Sequence, residues 1–390
     1  YYSFDNSFPD NYYPKYTAPV NMPKDAVMMK VITYRNGKPI GRMITISAAD
    51  LNTIAGLTTG VVTATLAATT PITDATVIAL ANVDANDVIS LTSTVESADA
   101  TALVALAAKV ITADATAFEG VTAITEATAD IGTNGAAVVS ALNIAGNDAA
   151  VTITGAISAA SADAIADATS GVVTATVTAG TAAALNAALV DSGAQVNAYT
   201  LTVSDTGSVK ATDLTGLDAK TSVAVDASLV TGITGNAADV LTALTAATID
   251  TAADVAATVS GTVSAADAQL IAATTTGKVT ATIAAGEAAA LKLALTDADL
   301  NAYKLTVTGN DADAADLVSL DGKTSVTVNA AAIKNIDGAG ATGAAAVKAA
   351  YDANALKTIS GLGNETVDLS AADDANVSLV KAINDYTTGV

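Results

Sequence analysis

Cysteine, histidine and tryptophan are absent from this chain of 390 residues. Their absence removes the usual zinc-ligand sets, thiol nucleophiles and the Ser-His-Asp triad. Aromatic residues make up only 3% of the chain. No apolar run reaches the ~18 residues that a membrane-spanning helix requires. Positive charge is scarce too: 17 Lys+Arg stand against 39 Asp+Glu, a formal net charge of −22. Such a chain repels phosphate backbones, so nucleic acid is not an expected partner. The lack of cysteine leaves the redox compartment open, because disulfide-free proteins occur inside and outside cells.

Half of the chain, 51%, is nonetheless hydrophobic, and Ala and Val carry most of it. Large rings dominate ordinary cores, whereas small and β-branched side chains suit thin layers stacked closely. Disordered chains pair high charge with low hydrophobicity. Here only 14% is charged and the mean hydropathy is positive, so a folded, repetitive chain is expected.

A compositional break lies near Ser47. The first 47 residues hold all four Met, both Arg, five of the six Pro and eight of the thirteen Phe+Tyr. They carry about +3, leaving about −25 on the remainder. Residues 1–26 set Tyr1, Tyr2, Phe4, Phe8, Tyr12, Tyr13 and Tyr16 among Pro and Asn, the pattern of an extended aromatic arm. Residues 27–47 predict a β-hairpin, with Met28, Tyr34 and Arg35 before a turn at Asn36-Gly37 and Arg42 after it. Asn-Gly favours that turn because both central positions need φ > 0. An arm and hairpin of this kind suit a cap on whatever follows, or a docking device for another subunit. The named arm and hairpin residues are the candidate assembly residues.

From Ser47 onward the sequence repeats itself. Ser-Ala-Ala-Asp or Ser-Ala-Asp recurs at Ser47, Ser161, Ser264 and Ser370. Gly60-Val-Val-Thr-Ala-Thr-Leu66, Gly171-Val-Val-Thr-Ala-Thr-Val177 and Gly277-Lys-Val-Thr-Ala-Thr-Ile283 share one pattern, and Asn197-Ala-Tyr returns as Asn301-Ala-Tyr. These phrases divide the chain into repeats at 48–160, 161–263 and 264–369, with the start of a fourth at 370–390. Strand-like phrases begin at Val172, Tyr199, Ser222 and Thr258, then at Lys278, Tyr303, Ser325 and Glu365. Short Ala-rich helical pieces, such as 181–189 and 315–320, lie between them. Strands joined by helical crossovers pair in parallel. The expected fold class is a repeat protein: a β-rich α/β solenoid of parallel strands with short helices, preceded by the aromatic arm and β-hairpin. Alternation of Val and Thr turns Val inward and leaves Thr in rows on the outer face. The last repeat reads as incomplete, its next strand supplied by further chain or by a neighbour's N-terminal segment.

Few residues invite chemistry. Asp311, Asp313 and Asp316, and Asp373 with Asp374, offer oxygens to Ca²⁺. EF-hand spacing is absent, and Asp in such contexts ordinarily makes turns and helix caps. No cofactor is expected, calcium being the one ion these residues admit. Lys220 and Lys323 hold matching positions and read as solvated. Tyr199, Tyr303, Tyr351 and Tyr386 are the few candidate rings for a glycan-binding face on the repeats. Asn364-Glu-Thr366 and Asn376-Val-Ser378 fit the N-glycosylation tripeptide.

Two phrases carry a resemblance: Ala-Asp-Leu-Val-Ser-Leu-Asp-Gly-Lys-Thr-Ser-Val-Thr-Val (residues 315–328) and Ile-Ser-Gly-Leu-Gly-Asn-Glu-Thr-Val (residues 359–367). They resemble the Ala/Thr-rich repeats of very long surface proteins of marine cyanobacteria and of fibre-like structural proteins of their phages. The likeness spans residues 48–390. It implies an extracellular or virion-borne fibre with no catalytic residues. The expectation is a non-catalytic protein of an extracellular filament, sheath or fibre, at the cell surface, with copies of itself as partners. A phage tail or capsid appendage, docked at its N-terminal segment on a virion protein, and a cell-surface adhesin are the alternatives.

Overall fold

The computed structural model describes residues 1–4, 9, 12–15, 17–18, 30–31, 33–35, 38–40, 48–60, 62–68, 80–83, 87–93, 97–107, 123–127, 148–190, 196–369 and 377–389. Two compact units divide the chain: Tyr1–Val95 with Ala102–Gly120, and Glu96–Thr101 with Val121–Val390.

In the first unit the N-terminus folds back on its own chain. Strand β1 (Tyr2–Ser3) runs antiparallel to β2 (Lys30–Val31), and the Tyr2 N–H donates to the Pro14 carbonyl at 3.1 Å. Strands β3 (Thr33–Arg35) and β4 (Lys38–Ile40) make the expected hairpin. Their Arg35↔Lys38 register leaves two residues between them, Asn36 and Gly37, which lie outside the described residues. Helix α1 (Ala48–Gly56) precedes β5 (Thr63–Ala68), which pairs in parallel with β6 (Val88–Ser93).

Every strand pair described in the second unit is parallel, and no sheet closes into a barrel. Strand β7 (Ser97–Asp99) is followed by α2 (Ala100–Ala107). It is joined side by side with β8 (Ala123–Ala127), β9 (Ala150–Ile157), β10 (Val173–Val177) and β11 (Ala198–Thr200). Helix α3 (Ala159–Asp167) links β9 to β10, and α4 (Ala182–Ala188) links β10 to β11. Two ladders then interleave. Strands β12 (Ser208–Lys210) and β14 (Gly232–Gly235) belong to one, and β13 (Val225–Ala227) and β15 (Ile249–Thr251) to the other. The first ladder continues through β16 (Ala256–Val263), β17 (Val279–Ile283) and β18 (Ala302–Lys304). The pattern recurs with β19 (Asp311–Asp313), β21 (Asn335–Gly338) and β23 (Thr366–Leu369) beside β20 (Val328–Asn329) and β22 (Ile359–Ser360). Helices α5 (Ala211–Asp218), α6 (Ala237–Thr245), α7 (Ala265–Ala272), α8 (Ala288–Ala294), α9 (Ala314–Asp321), α10 (Gly343–Leu356) and α11 (Val377–Asn384) follow in turn. Each packs on the one before it.

The sequence explains why each turn of chain has this form. Ser158, Thr181, Asn236 and Ser264 stand just before helices, and each side chain accepts a hydrogen bond from a free N–H of the first turn. In β10, Val173, Ala175 and Val177 are buried while Thr174 and Thr176 face solvent. Burial of such a Val is worth roughly 1.5–3 kcal/mol. The threonines align across strands: Thr125, Thr152 and Thr174 form one row, and Thr234, Thr258 and Thr280 another. In β9 and β16 the register jumps by two residues around Gly155 (φ 111°) and Gly261 (φ 80°), a backbone shape that only glycine adopts without strain.

A recurrent side-chain bond ties each turn to the last. Thr275 Oγ1 donates to the Val255 carbonyl at 2.6 Å and accepts the Gly277 N–H at 2.9 Å. Thr169 does the same with Ala149 and Gly171, and Thr387 with Glu365 and Gly389. Thr221 and Thr324 bind the carbonyls of Tyr199 and Tyr303 in the same manner. Two residues after Thr169, Thr275 and Thr387 stands a glycine that lies against the preceding turn, whereas Val223 and Val326 take that place after Thr221 and Thr324. A Cβ at Gly277 would come within 2.2 Å of the Asp254 carbonyl oxygen.

Gly277→Ala should therefore lower the unfolding free energy by about 1–3 kcal/mol in urea titrations. Lys357→Gly should raise it by about 1 kcal/mol. Lys357 is the single described non-glycine residue at positive φ (69°), where it closes α10 in the left-handed conformation.

Candidate functional site

The sequence places the candidate assembly residues in the N-terminal segment. Tyr1, Tyr2, Phe4 and Tyr13 are half-buried there, and Tyr12 is 90% exposed. The rings of Tyr2 and Phe4 meet edge to face, with centroids 5.3 Å apart at 64°. Tyr34 and Arg35 lie on β3. Phe8, Tyr16, Met28 and Arg42 fall outside the described residues. The structure thus brings Tyr2 and Phe4 together and joins the strand of Tyr2 to residues 30–31.

On the repeats, the tyrosines correct one expectation. Tyr199, Tyr303 and Tyr351 are almost wholly buried, so they make no exposed aromatic face. Tyr199 Oη donates to the Ala162 carbonyl of α3 at 3.2 Å. Burial, with the charge of Asp297 beside it, pushes the Tyr303 hydroxyl well above its ordinary range. Burial likewise pushes Tyr351 up to about 12. Tyr386 alone is partly exposed, and its ring stacks on Tyr351 at 5.8 Å and 8°.

Four buried polar residues escaped the sequence reading. Asn197 and Asn301 are buried, and each Oδ1 accepts a strand N–H of the preceding turn, from Val173 at 2.9 Å and Val279 at 2.8 Å. The repeated Asn-Ala-Tyr phrase was visible, but not the direction of its side chain. In the first unit Asp87 takes the Val62 N–H in the same way at 2.8 Å. Glu365 is fully buried, at the register position that Val255 holds one repeat earlier. Its Oε2 accepts from the N–H groups of Gly363 (2.7 Å) and Asn364 (3.0 Å) and from Tyr351 Oη (3.1 Å).

The acidic residues weighed for calcium have other tasks. Asp313 caps α9 by accepting the Ala315 N–H at 2.8 Å, and Asp316 pairs with Lys292 at 2.6 Å. Asp311 accepts from the Asn335 carboxamide. Asp373 and Asp374 lie outside the described residues, and no group of three metal-ligating side chains occurs among the described ones. Lys323 Nζ donates to the Asp297 carbonyl, and Lys220 is half-buried. Asn364 is exposed, whereas Asn376 lies outside the described residues. No described helix is long and apolar enough to cross a membrane.

No family model, curated protein or solved structure matches the chain.

One electrostatic feature stands apart. Asp313, Asp337 and Asp368 are register partners on adjacent strands, a ladder of like charges on one sheet face. Burial, then the charges of Asp311, Asp368 and Asp313, hold the Asp337 carboxyl above its ordinary range. A carboxyl raised in the folded state favours folding below its unfolded-chain value and loses that contribution as pH rises through the folded one. Asp337→Asn should therefore raise the thermal midpoint at pH 7, and the gain should shrink as pH falls toward 4. Calorimetric scans of both proteins across that range would check it.

Proposed function

We propose that this chain is a non-catalytic structural protein. Its strand–helix turns stack as a solenoid and build an extracellular filament, sheath or fibre, with residues 1–47 as the docking or subunit-assembly device. The observation that carries this reading is the recurrence of one turn-to-turn contact. The Thr169, Thr221, Thr275, Thr324 and Thr387 side chains all bond the carbonyl of the turn before. The side chains that recur from repeat to repeat thus hold neighbouring turns to one another.

The division of charge supports an assembly role. A body of about −25 repels other copies sideways. The first 47 residues carry the opposite sign and most of the rings, and rings anchor interfaces. Copies of the chain are the partners this reading requires, with a surface or virion protein as the alternative anchor.

Removing residues 1–26 is expected to abolish assembly, followed by sedimentation and negative-stain microscopy, while unfolding of the second unit stays unchanged. Filaments that persist after the deletion would contradict the reading. Gold-labelled antibody against residues 265–371 should decorate continuous threads or a cell surface.

A further inference from the structure

The second unit offers oxidants few targets. Cysteine, histidine and tryptophan are absent from the chain, and all four methionines lie in the first 47 residues. Cysteine and methionine ordinarily take oxidation first. Past residue 47, Tyr199, Tyr303, Tyr351 and Tyr386 are the side chains from which a one-electron oxidant can draw. Two of these tyrosines meet. Tyr351 on α10 and Tyr386 just after α11 lie ring on ring, with centroids 5.8 Å apart and planes 8° from parallel.

Each phenol of this pair donates to a carboxyl group. Tyr386 Oη donates to Asp352 Oδ1 at 2.7 Å, and Tyr351 Oη donates to Glu365 Oε2 at 3.1 Å. Tyr199 donates instead to a main-chain carbonyl. The difference matters because a phenol gives up an electron readily only where its proton has a base to receive it. Burial pushes Tyr351 up to about 12, and the bond to Asp352 raises Tyr386, so both phenols are protonated at neutral pH. Each must therefore lose its proton together with its electron. Lys348 pairs with Asp352 Oδ2 at 2.7 Å, and this contact, with the Tyr386 bond, holds the Asp352 carboxyl below its usual range. Asp352 is thus ionised beside the Tyr386 hydroxyl.

Access is graded across the pair, with Tyr351 1% and Tyr386 39% exposed. Tyr386 holds the place of Thr274 one repeat earlier, just before the threonine that bonds the preceding carbonyl. Thr274 is partly exposed with β17 and β18 laid after it, so this place faces solvent even where further turns follow.

We propose that Tyr351 and Tyr386 are a site of oxidative cross-linking, joined ring to ring as an intrachain dityrosine by a one-electron oxidant such as a peroxidase acting with hydrogen peroxide. Each phenol loses one electron to the oxidant, and its hydroxyl proton passes to Asp352 or Glu365. The two radicals form one carbon–carbon bond between ring carbons next to the oxygens. The hydrogens on those two carbons then move to the oxygens and restore both phenols. Overall two electrons and two protons leave the pair, which reduces one hydrogen peroxide to two waters. The outer ring, Tyr386, supplies the movement that brings the ring edges to bonding distance. The bond would tie α10 to the turn after α11, and it stands independently of the assembly reading.

Treatment of the full chain with a peroxidase and hydrogen peroxide tests this directly. Intact mass should fall by two hydrogens, with the blue fluorescence of dityrosine. After trypsin, residues 349–357 and 382–390 should emerge as one linked species. Tyr386→Phe should abolish that species while unfolding in urea like the parent. Asp352→Asn keeps both rings, checked by near-ultraviolet circular dichroism, and should slow the linkage by about tenfold or more. A purely structural role for Asp352 would leave that rate unchanged. Oxidation of other tyrosines without the linked species would overturn the proposal, and linkage of Asp352→Asn at the parent's rate would overturn the proton route.

Discussion

The contact between one turn of chain and the next is the constraint on which the second unit depends. A single strand of three to eight residues has little stability of its own. Laid in parallel on the strand before it, that strand satisfies its backbone and buries its valines against the helices. The threonine that bonds the preceding carbonyl then limits where the turn can sit. At Gly171, Gly277 and Gly389 the missing side chain lets two backbones touch, and that contact leaves no space for substitution. The composition follows from this geometry. Ala, Val, Thr and Gly are abundant because closely spaced turns have room for little else.

Much of this was legible in the sequence. The strands at Val173, Val279 and Ala302 begin within a residue of where the repeated phrases place them, because Val-Thr alternation has the two-residue period of a pleated strand. The hairpin at 33–40 followed from Asn-Gly, and the helical pieces at 181–189 and 315–320 followed from their Ala-rich runs. Features that need the third dimension were hidden. Nothing in Ser208–Lys210 announces that one ladder opens there while Val225–Ala227 belongs to another. Tyr199 and Tyr303 read equally well as exposed or buried rings, since alternation fixes which residues share a face but not which face meets the core. Glu365 was read as the start of a strand-like phrase, but its burial at a position that Val255 fills one repeat earlier was not legible. The candidate assembly residues were recognisable by composition alone; the structure pairs the rings of Tyr2 and Phe4 and sets Tyr34 and Arg35 in the hairpin.

Charge links the body to its proposed use. Like charges opposed across Asp313, Asp337 and Asp368 oppose the pairing on which the rest of the sheet relies. In the proposed assembly the same repulsion would keep neighbouring bodies apart.

Because the chain has no native cysteine, engineered pairs can test the turn-on-turn register without interference. Thr258 and Thr280 are direct partners on β16 and β17, while Thr282 partners Thr262 across the bulge. Thr258→Cys with Thr280→Cys should oxidise readily to an intrachain disulfide and leave the fold intact. Thr258→Cys with Thr282→Cys should stay reduced under the same conditions. Equal oxidation of both pairs, or of neither, would contradict the stacked parallel turns from which the whole account is built.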